Sequence, residues 1–309
     1  MPQAKPGSAI IFRMILVTGG TGFIGSRFVE KLLKLREDVR ILLRPSKISP
    51  DIPKNISLDV AVSSLNDEKG LRSAMQGVTS IYHFASAENS GPDPDFEGVD
   101  VGGTENLILS AKTAKVKKIL FLSRVGSDKT SSYPVLRAKA IAENEIHESG
   151  LAFNILRLTD VYGKNDHFSE NFAAGIRYAP ILMPIPAGET VLQPLWVEDL
   201  ISILVLIHEQ EKFPNKIYEI GGGEFFTLPD TLKLISRIIG KKRILLPTAP
   251  AYLRLYNLWF KQYRSAFPLS TKWLDLLAID RTCPLDSMPR NFEILPARFS
   301  YHLDYLESA

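Results

Sequence analysis

Short apolar runs alternate along the chain with longer segments in which apolar residues recur every three or four positions. The short runs are Met14–Val17, Val39–Leu43, Ser80–Phe84, Lys118–Leu122 and Phe153–Leu158. Between them lie Arg27–Leu35, Glu68–Met75, Thr104–Lys112 and Ala138–Glu148. The first set reads as buried strands and the second as helices. Their alternation predicts βαβ units, because a parallel strand needs a crossover that returns the chain to the same edge of the sheet. An α/β fold with a doubly wound parallel sheet is therefore expected over about the first two-thirds of the chain.

After Tyr162-Gly163 the pattern loosens, and Pro180, Pro184, Pro186 and Pro194 mark turns. Glu198–Glu209 restores a helix and Lys216–Ile220 a strand. From Gly221 onward the pattern reads as helices separated by prolines, a smaller and mainly helical C-terminal lobe suited to a substrate. Residues 1–12, with Pro2, Pro6 and Gly7, read as a flexible leader. The expected division is leader 1–12, a binding domain 13–220 to which 164–194 add part of the substrate lobe, and a lobe 221–309.

Composition narrows the function classes. The chain has 309 residues, 45% of them hydrophobic and 23% charged, as in an ordinary globular protein. The net charge of +3 is spread along the chain, and the clusters Lys115, Lys117, Lys118 and Lys241 to Arg243 are too short for a nucleic-acid surface, so they read as solvated turns. A single cysteine, Cys283, excludes a disulfide framework and a cysteine metal cage, and fits a reducing, cytoplasmic setting. Ile10 to Val17 is broken by Arg13 and runs into a glycine turn, unlike a signal peptide. Leu200 to Ile207 falls far short of the roughly 20 apolar residues that a membrane-spanning helix needs.

The chemistry enters at Thr18-Gly19-Gly20-Thr21-Gly22-Phe23-Ile24-Gly25, which follows a predicted strand and opens a predicted helix. In that context the glycines form a dinucleotide fingerprint of the Rossmann type. Gly19, Gly20 and Gly22 let the backbone turn and approach a pyrophosphate, and Gly25 lets helix and sheet pack closely. Helix-start amides then face the phosphates. An NAD site carries a carboxylate about 20 residues later for the ribose 2′-hydroxyl. Here the strand Val39–Leu43 ends in Arg44, a planar cation suited to a 2′-phosphate, with Ser46 and Lys47 beside it. NADP(H) is expected over NAD(H).

With these residues the chain resembles the short-chain dehydrogenase/reductase superfamily, in its extended-to-atypical, epimerase/dehydratase-like branch. Within that branch it is similar to the group of the nucleotide-binding accessory subunit of respiratory complex I. The resemblance covers about residues 14 to 305 and rests on Thr18 to Gly25, Tyr82-His83-Phe84-Ala85, Gly103-Thr104-Glu105-Asn106-Leu107, Phe121-Leu122-Ser123, Lys139 to Glu143, Leu156-Arg157 with Val161-Tyr162-Gly163, and Gln193 to Asp199. It implies that Ala85 and Ser86 line the adenosine side of the cleft and that Lys139 reaches the nicotinamide ribose.

The family's usual chemistry needs a tyrosine four positions before that lysine, on the same helix face, and a serine that holds the substrate oxygen. The resemblance makes Ser123 the serine, but the tyrosine position is Val135, which cannot move a proton. Tyr133 lies two residues earlier, turned by about 200° on a helix. Either Tyr133 reaches the site from a helix start distorted by Pro134, or the usual proton transfer is absent; the turn favours absence. Ser64, Asp100 and Arg124 also depart from the family's usual Asp, Asn and second serine. His83 reads as a structural histidine.

Three functions stay open. One is an NADP(H)-binding protein with incomplete catalysis, acting in a reductase-like, structural or sensor role. Another is an oxidoreductase or epimerase/dehydratase acting on a sugar nucleotide, a sterol-like molecule or another carbonyl or hydroxyl substrate, with Ser123, Tyr133 and Lys139 as its machinery. The third is a protein-binding scaffold with an empty cleft. The aromatic segment Tyr252 to Tyr263 reads as lobe core, substrate wall or partner-binding helix.

Overall fold

The first strand, β1 (Met14–Thr18), is apolar on both faces: Ile15 and Val17 enter one core and Leu16 another. A strand built this way belongs at the middle of a sheet covered on both sides. The computed structural model places it there, and describes residues 14–46, 58–91, 93–179, 181–188, 190–210, 214–249, 252, 255 and 279–307. The predicted leader 1–12, Lys47 and all of the aromatic segment 252–263 except Tyr252 and Leu255 lie outside the described residues.

The other sheet strands are β2 (Val39–Leu43), β3 (Asp59–Val62), β4 (Val78–His83), β5 (Lys118–Arg124), β6 (Ala152–Leu158) and β7 (Lys216–Ile220). They form a seven-stranded, all-parallel sheet in the order β7-β6-β5-β4-β1-β2-β3. The chain steps outward from β1 to β3 and then returns to β4 on the other side. That reversal opens a crevice at the C-terminal ends of β1 and β4, where ligands of doubly wound sheets bind.

Helices cover both faces. On one side α1 (Phe23–Lys34), α6 (Val197–Gln210) and α8 (Ser287–Phe292) pack Phe28, Leu32, Leu200, Leu204 and Met288 against Ile15, Val17 and Ile41. On the other, α2 (Glu68–Ala74), α3 (Gly103–Thr113) and α4 (Pro134–Glu148) pack Leu71, Leu107, Ala142 and Ile146 against Leu16, Ile81 and Ile119. Each such fully buried side chain contributes about 1.5–3 kcal/mol. A third core joins α5 (Ser169–Tyr178) and α7 (Leu228–Ile238) through Phe172, Ile176, Leu232 and Ile235, closed by Phe299 and Leu303.

Three features depart from the sequence pattern. The edge strand β3 departs from the buried-strand pattern: its apolar run Val60–Val62 is only three residues long, and Asp59, Val60 and Val62 are exposed. Helix α4 begins at Pro134, four residues before the predicted start, since a proline at the first helical position sacrifices no hydrogen bond. The C-terminal region also contains a strand, Ile244–Thr248, paired in parallel with Leu182–Pro186. Pro184, Pro186 and Pro247 read as breakers in sequence but sit in this two-stranded ribbon, whose edges tolerate residues that donate no hydrogen bond.

Candidate functional site

A cleft of about 670 Å³ follows the C-terminal ends of the sheet strands. It is lined by Arg44 after β2, Thr18 and Gly19 at β1, Ala85 and Ser86 after β4, Ser123 and Arg124 at β5, and Thr159 and Asp160 after β6. These are five neighbouring strands, so the cleft runs about 19 Å across the sheet at a spacing near 4.8 Å. Thr21, Gly22, Phe23, Ile24 and Gly25 complete the wall at the glycine turn.

The turn is shaped by residues without side chains. Gly19 has φ +68°, and a Cβ there would lie 2.7 Å from the Ala85 nitrogen. A Cβ on Gly25 would run into the Gly19 carbonyl, so the first turn of α1 presses directly on the loop. Gly20 stands behind, with Ile41 2.9 Å from its Cβ position, and does not line the cleft. No side chain caps the start of α1 and no acidic residue lies in its first turn. Its amides and dipole are thus left for an anion arriving from the cleft, which is what a pyrophosphate requires.

At the far end, Arg44 is exposed and shares the wall with Ser46, Ser63, Ser64 and Asn66. Among the described residues no carboxylate pairs with Arg44; the acids that line the cleft, Glu88 and Asp160, belong to the Arg124 cluster described below.

Behind the turn, β1 and β4 are joined by a hydrogen-bonded chain. The Ala85 amide donates to the Thr18 hydroxyl oxygen (3.2 Å), which pairs with His83 Nδ1 (2.6 Å). His83 Nε2 meets the Thr104 hydroxyl (3.0 Å), which donates to the Asp100 carbonyl (2.6 Å). Because Thr104 already spends its proton on that carbonyl, Nε2 carries the imidazole hydrogen and Nδ1 accepts from Thr18. Burial, and then the charge of Lys139, push the His83 pKa from 6.5 to about 3. The unfolded chain binds this proton near pH 6.5 and the folded chain does not, so stability is complete above pH 6.5 and falls on acidification. Between pH 7 and pH 5 the loss from this residue should be about 2 kcal/mol. Urea titrations at both pH values check it: His83→Gln should flatten the dependence, and an equally steep variant would refute the assignment.

Lys139 lines the cleft yet is buried, with Nζ 3.0 Å from Asp100 Oδ1 and 4.9 Å from the centre of the Phe121 ring. Burial opposes the Asp100 charge, but Lys139, the Ala87 amide and the Ser86 hydroxyl outweigh it and hold the carboxyl below its ordinary range. Ser123 also lines the cleft, but its hydroxyl donates to Glu143 Oε1 at 2.5 Å, and Arg157 Nη2 grips Glu143 Oε2 at 2.6 Å. Val135 and Tyr133 are elsewhere. They pack with Leu136, Phe96 and Ile279 in a small apolar cluster, and neither lines the cleft.

At the β5–β6 end Arg124, legible in the sequence only as a departure from the family's usual serine, clusters with Glu88, Asp160 and Arg281, to which the sequence pattern assigned no role. Arg124 holds Glu88 through Nε (3.1 Å) and Nη2 (2.8 Å), and its Nη1 lies 3.5 Å from Asp160 Oδ1. Arg281 Nη1 meets the same Asp160 oxygen at 2.8 Å. Arg281 arrives from far along the chain, and no local pattern points to it. Glu143 was legible as the i+4 neighbour of Lys139 on one helix face. Among the described residues no group of three or more His, Cys, Asp or Glu is placed to hold a metal ion, and no helix is long and apolar enough to cross a membrane. Cys283 is buried and free.

Comparisons with known proteins agree with this geometry. A family model described as NAD(P)H-binding matches residues 19–170. The chain is 25% identical to alpha subcomplex subunit 9 of the mitochondrial NADH dehydrogenase [ubiquinone] 1 of Arabidopsis thaliana over 72% of its length, though the match spans only 57% of that protein. It is also 25% identical to photosystem II assembly factor Ycf39 of Cyanophora paradoxa, over 78% of this chain and 73% of that one. Among solved structures, the UDP-glucose 4-epimerase of Thermotoga maritima superposes with a TM-score of 0.68 at 21% identity, covering 96% of this chain and 98% of that one.

Proposed function

We propose that this chain, which resembles the atypical, epimerase/dehydratase-like branch of the short-chain dehydrogenase/reductase superfamily, binds NADPH in preference to NADH and uses it without the tyrosine-dependent proton transfer usual in that superfamily. The observation that carries the cofactor choice is the wall made by Arg44, Ser46, Ser63, Ser64 and Asn66, where a cation and neutral donors stand in place of a ribose-binding carboxylate. A 2′-phosphate gains charge-assisted hydrogen bonds there that a 2′-hydroxyl does not. The pyrophosphate lies against the amides from Gly22 to Gly25, Ala85 and Ser86 flank the adenosine side, and Lys139 faces the nicotinamide ribose. Residues 13–220 are assigned to the dinucleotide-binding domain and 221–309 to the substrate lobe, to which 164–194 contribute.

Bound nicotinamide supplies hydride chemistry, but this chain's own residues do not supply the usual proton. Val135 carries no proton, Tyr133 is engaged in an apolar cluster away from the cleft, and the Ser123 hydroxyl is committed to Glu143. This supports a cofactor-stabilised role, reductase-like or as an assembly or sensor subunit. The names of two relatives, a respiratory-complex subunit and an assembly factor, point the same way.

Thermal unfolding with each dinucleotide tests the reading. At a hundredfold excess over Kd, NADPH should stabilise the fold by about 2.7 kcal/mol. Arg44→Leu should weaken NADPH about 10- to 100-fold and leave NADH unchanged. Absence of any shift with either dinucleotide would sink the proposal, and equal shifts that survive Arg44→Leu would sink the preference.

A further inference from the structure

Most of the charged side chains that line the cleft are committed to an ion pair. Glu88 is paired with Arg124, Asp160 with Arg281, and Lys139 with Asp100. Arg44 and His167 remain. The 2′-phosphate site accounts for Arg44 and leaves His167 without a role. The His167 ring is exposed and, among the described residues, has no hydrogen-bond or ion-pair partner.

The backbone that carries this ring is held firmly. Asp166, only 3% exposed, accepts from the Phe168 and Glu170 amides through Oδ1 at 3.0 and 2.9 Å. Its Oδ2 accepts from the Gly163 amide, the Ser169 hydroxyl and the Tyr305 hydroxyl at 2.8, 2.5 and 3.1 Å. A carboxylate so fully occupied does not draw the neighbouring imidazole back onto itself. The same segment is fastened to the start of α1. Arg27 donates from Nη1 to the Phe23 carbonyl (2.7 Å) and from Nη2 to the Lys164 carbonyl (2.5 Å), with its guanidinium 4.6 Å from the centre of the Phe23 ring. A Cβ on Gly163 would lie 3.5 Å from the tip of that ring. Residues 163–168 therefore stand against the first turn of α1, whose amides have no side-chain cap, and His167 and Phe168 line the same cleft as Phe23.

We propose that His167 is a second grip on the dinucleotide, its ring N–H donating to the nicotinamide-side phosphate while the α1 amides hold the pyrophosphate from the helix side. This rests on reading the cleft as a dinucleotide site. An imidazole donates to a phosphate oxygen in either protonation state, and the anion favours the charged form, which makes the stronger bond. The nicotinamide side follows from chain order: residues 163–168 come just after Thr159, Asp160 and Val161, which line the cleft beyond β6, whereas Arg44 marks the adenosine side after β2. Because the bonds to Asp166 set the loop without a ligand, little ordering is lost when the phosphate arrives.

Calorimetric titration tests this with NADPH, NADH and adenosine 2′,5′-bisphosphate, which keeps the adenosine-side phosphates and lacks the nicotinamide-side one. His167→Ala should weaken NADPH and NADH by the same factor, about tenfold or more, and leave adenosine 2′,5′-bisphosphate within about twofold. The ring has no partner to lose, so circular dichroism should show an unaltered fold. Lys164→Ala removes an exposed cation that does not line the cleft, and it should cost less than about threefold. Unchanged NADPH affinity in His167→Ala, an equal loss for adenosine 2′,5′-bisphosphate, or an equal loss in Lys164→Ala would each overturn the assignment. If the unmodified protein binds NADPH and the His167 effect is missing, the second grip alone is wrong; if it binds neither dinucleotide, the cofactor reading falls as well.

Discussion

Gly25→Val should abolish dinucleotide binding, with affinity for NADPH falling at least about 100-fold, and should destabilise the fold by about 1–3 kcal/mol or more. The cause is geometric. A Cβ at Gly25 collides with the Gly19 carbonyl, and the atoms it meets are backbone, which cannot swing aside as a side chain would. Relief requires α1 to move away from the glycine turn, and that movement pulls the helix-start amides off the phosphate position. Titration of NADPH fluorescence measures the loss, and circular dichroism separates it from unfolding. Gly175→Ala is the control: it lies in α5 with nothing within 4 Å of its Cβ position, so it should leave binding intact and stabilise the helix by up to about 1 kcal/mol. Wild-type affinity in Gly25→Val would mean that the turn does not carry the pyrophosphate.

Asp100→Ala should cost about 3–5 kcal/mol of unfolding free energy, the largest stability effect expected of any single polar residue here. Asp100 and Lys139 are both more than nine-tenths buried and 3.0 Å apart, and Asp100 also accepts from the Ala87 amide. Removing the carboxylate strands a buried ammonium and an amide together. The double change Asp100→Leu with Lys139→Met should recover much of the loss, because no uncompensated charge then stays inside. Urea denaturation of the three proteins decides the matter: a double variant as unstable as Asp100→Ala would show that packing, and not charge, is at stake. The pair has a consequence for the cleft as well. Asp100 stands where the family that the chain resembles usually has a neutral Asn, so Lys139 lines the cleft with its charge already partly neutralised.

Elements that bury a continuous apolar run were legible beforehand, and so was the glycine turn. β1, β2, β4, β5 and β6 each carry hydrophobic residues on both faces, and α1 carries its stripe at Phe28, Val29 and Leu32. β3 was not legible, because an edge strand with exposed Asp59 and Val62 has no need of that pattern. The ribbon of Leu182–Pro186 with Ile244–Thr248 was hidden for the opposite reason: its prolines signal interruption to a local reading, and only the partner strand shows that no hydrogen bond was wanted there.

The sequence by itself determined that this protein has a parallel sheet with a dinucleotide turn, that Arg44 follows the second strand, and that a valine, Val135, stands four positions before Lys139. Each of these is a local fact, set by residue type at a fixed spacing, so no long-range contact was needed to read it. Tertiary structure alone decided what the polar side chains do. Ser123 is tied to Glu143 across 20 positions, Lys139 to Asp100 across 39, and Asp160 to Arg281 across 121. Charge pairs of that separation leave no periodic trace, because the energy that selects them is paid in desolvation at the point where the chain folds back on itself.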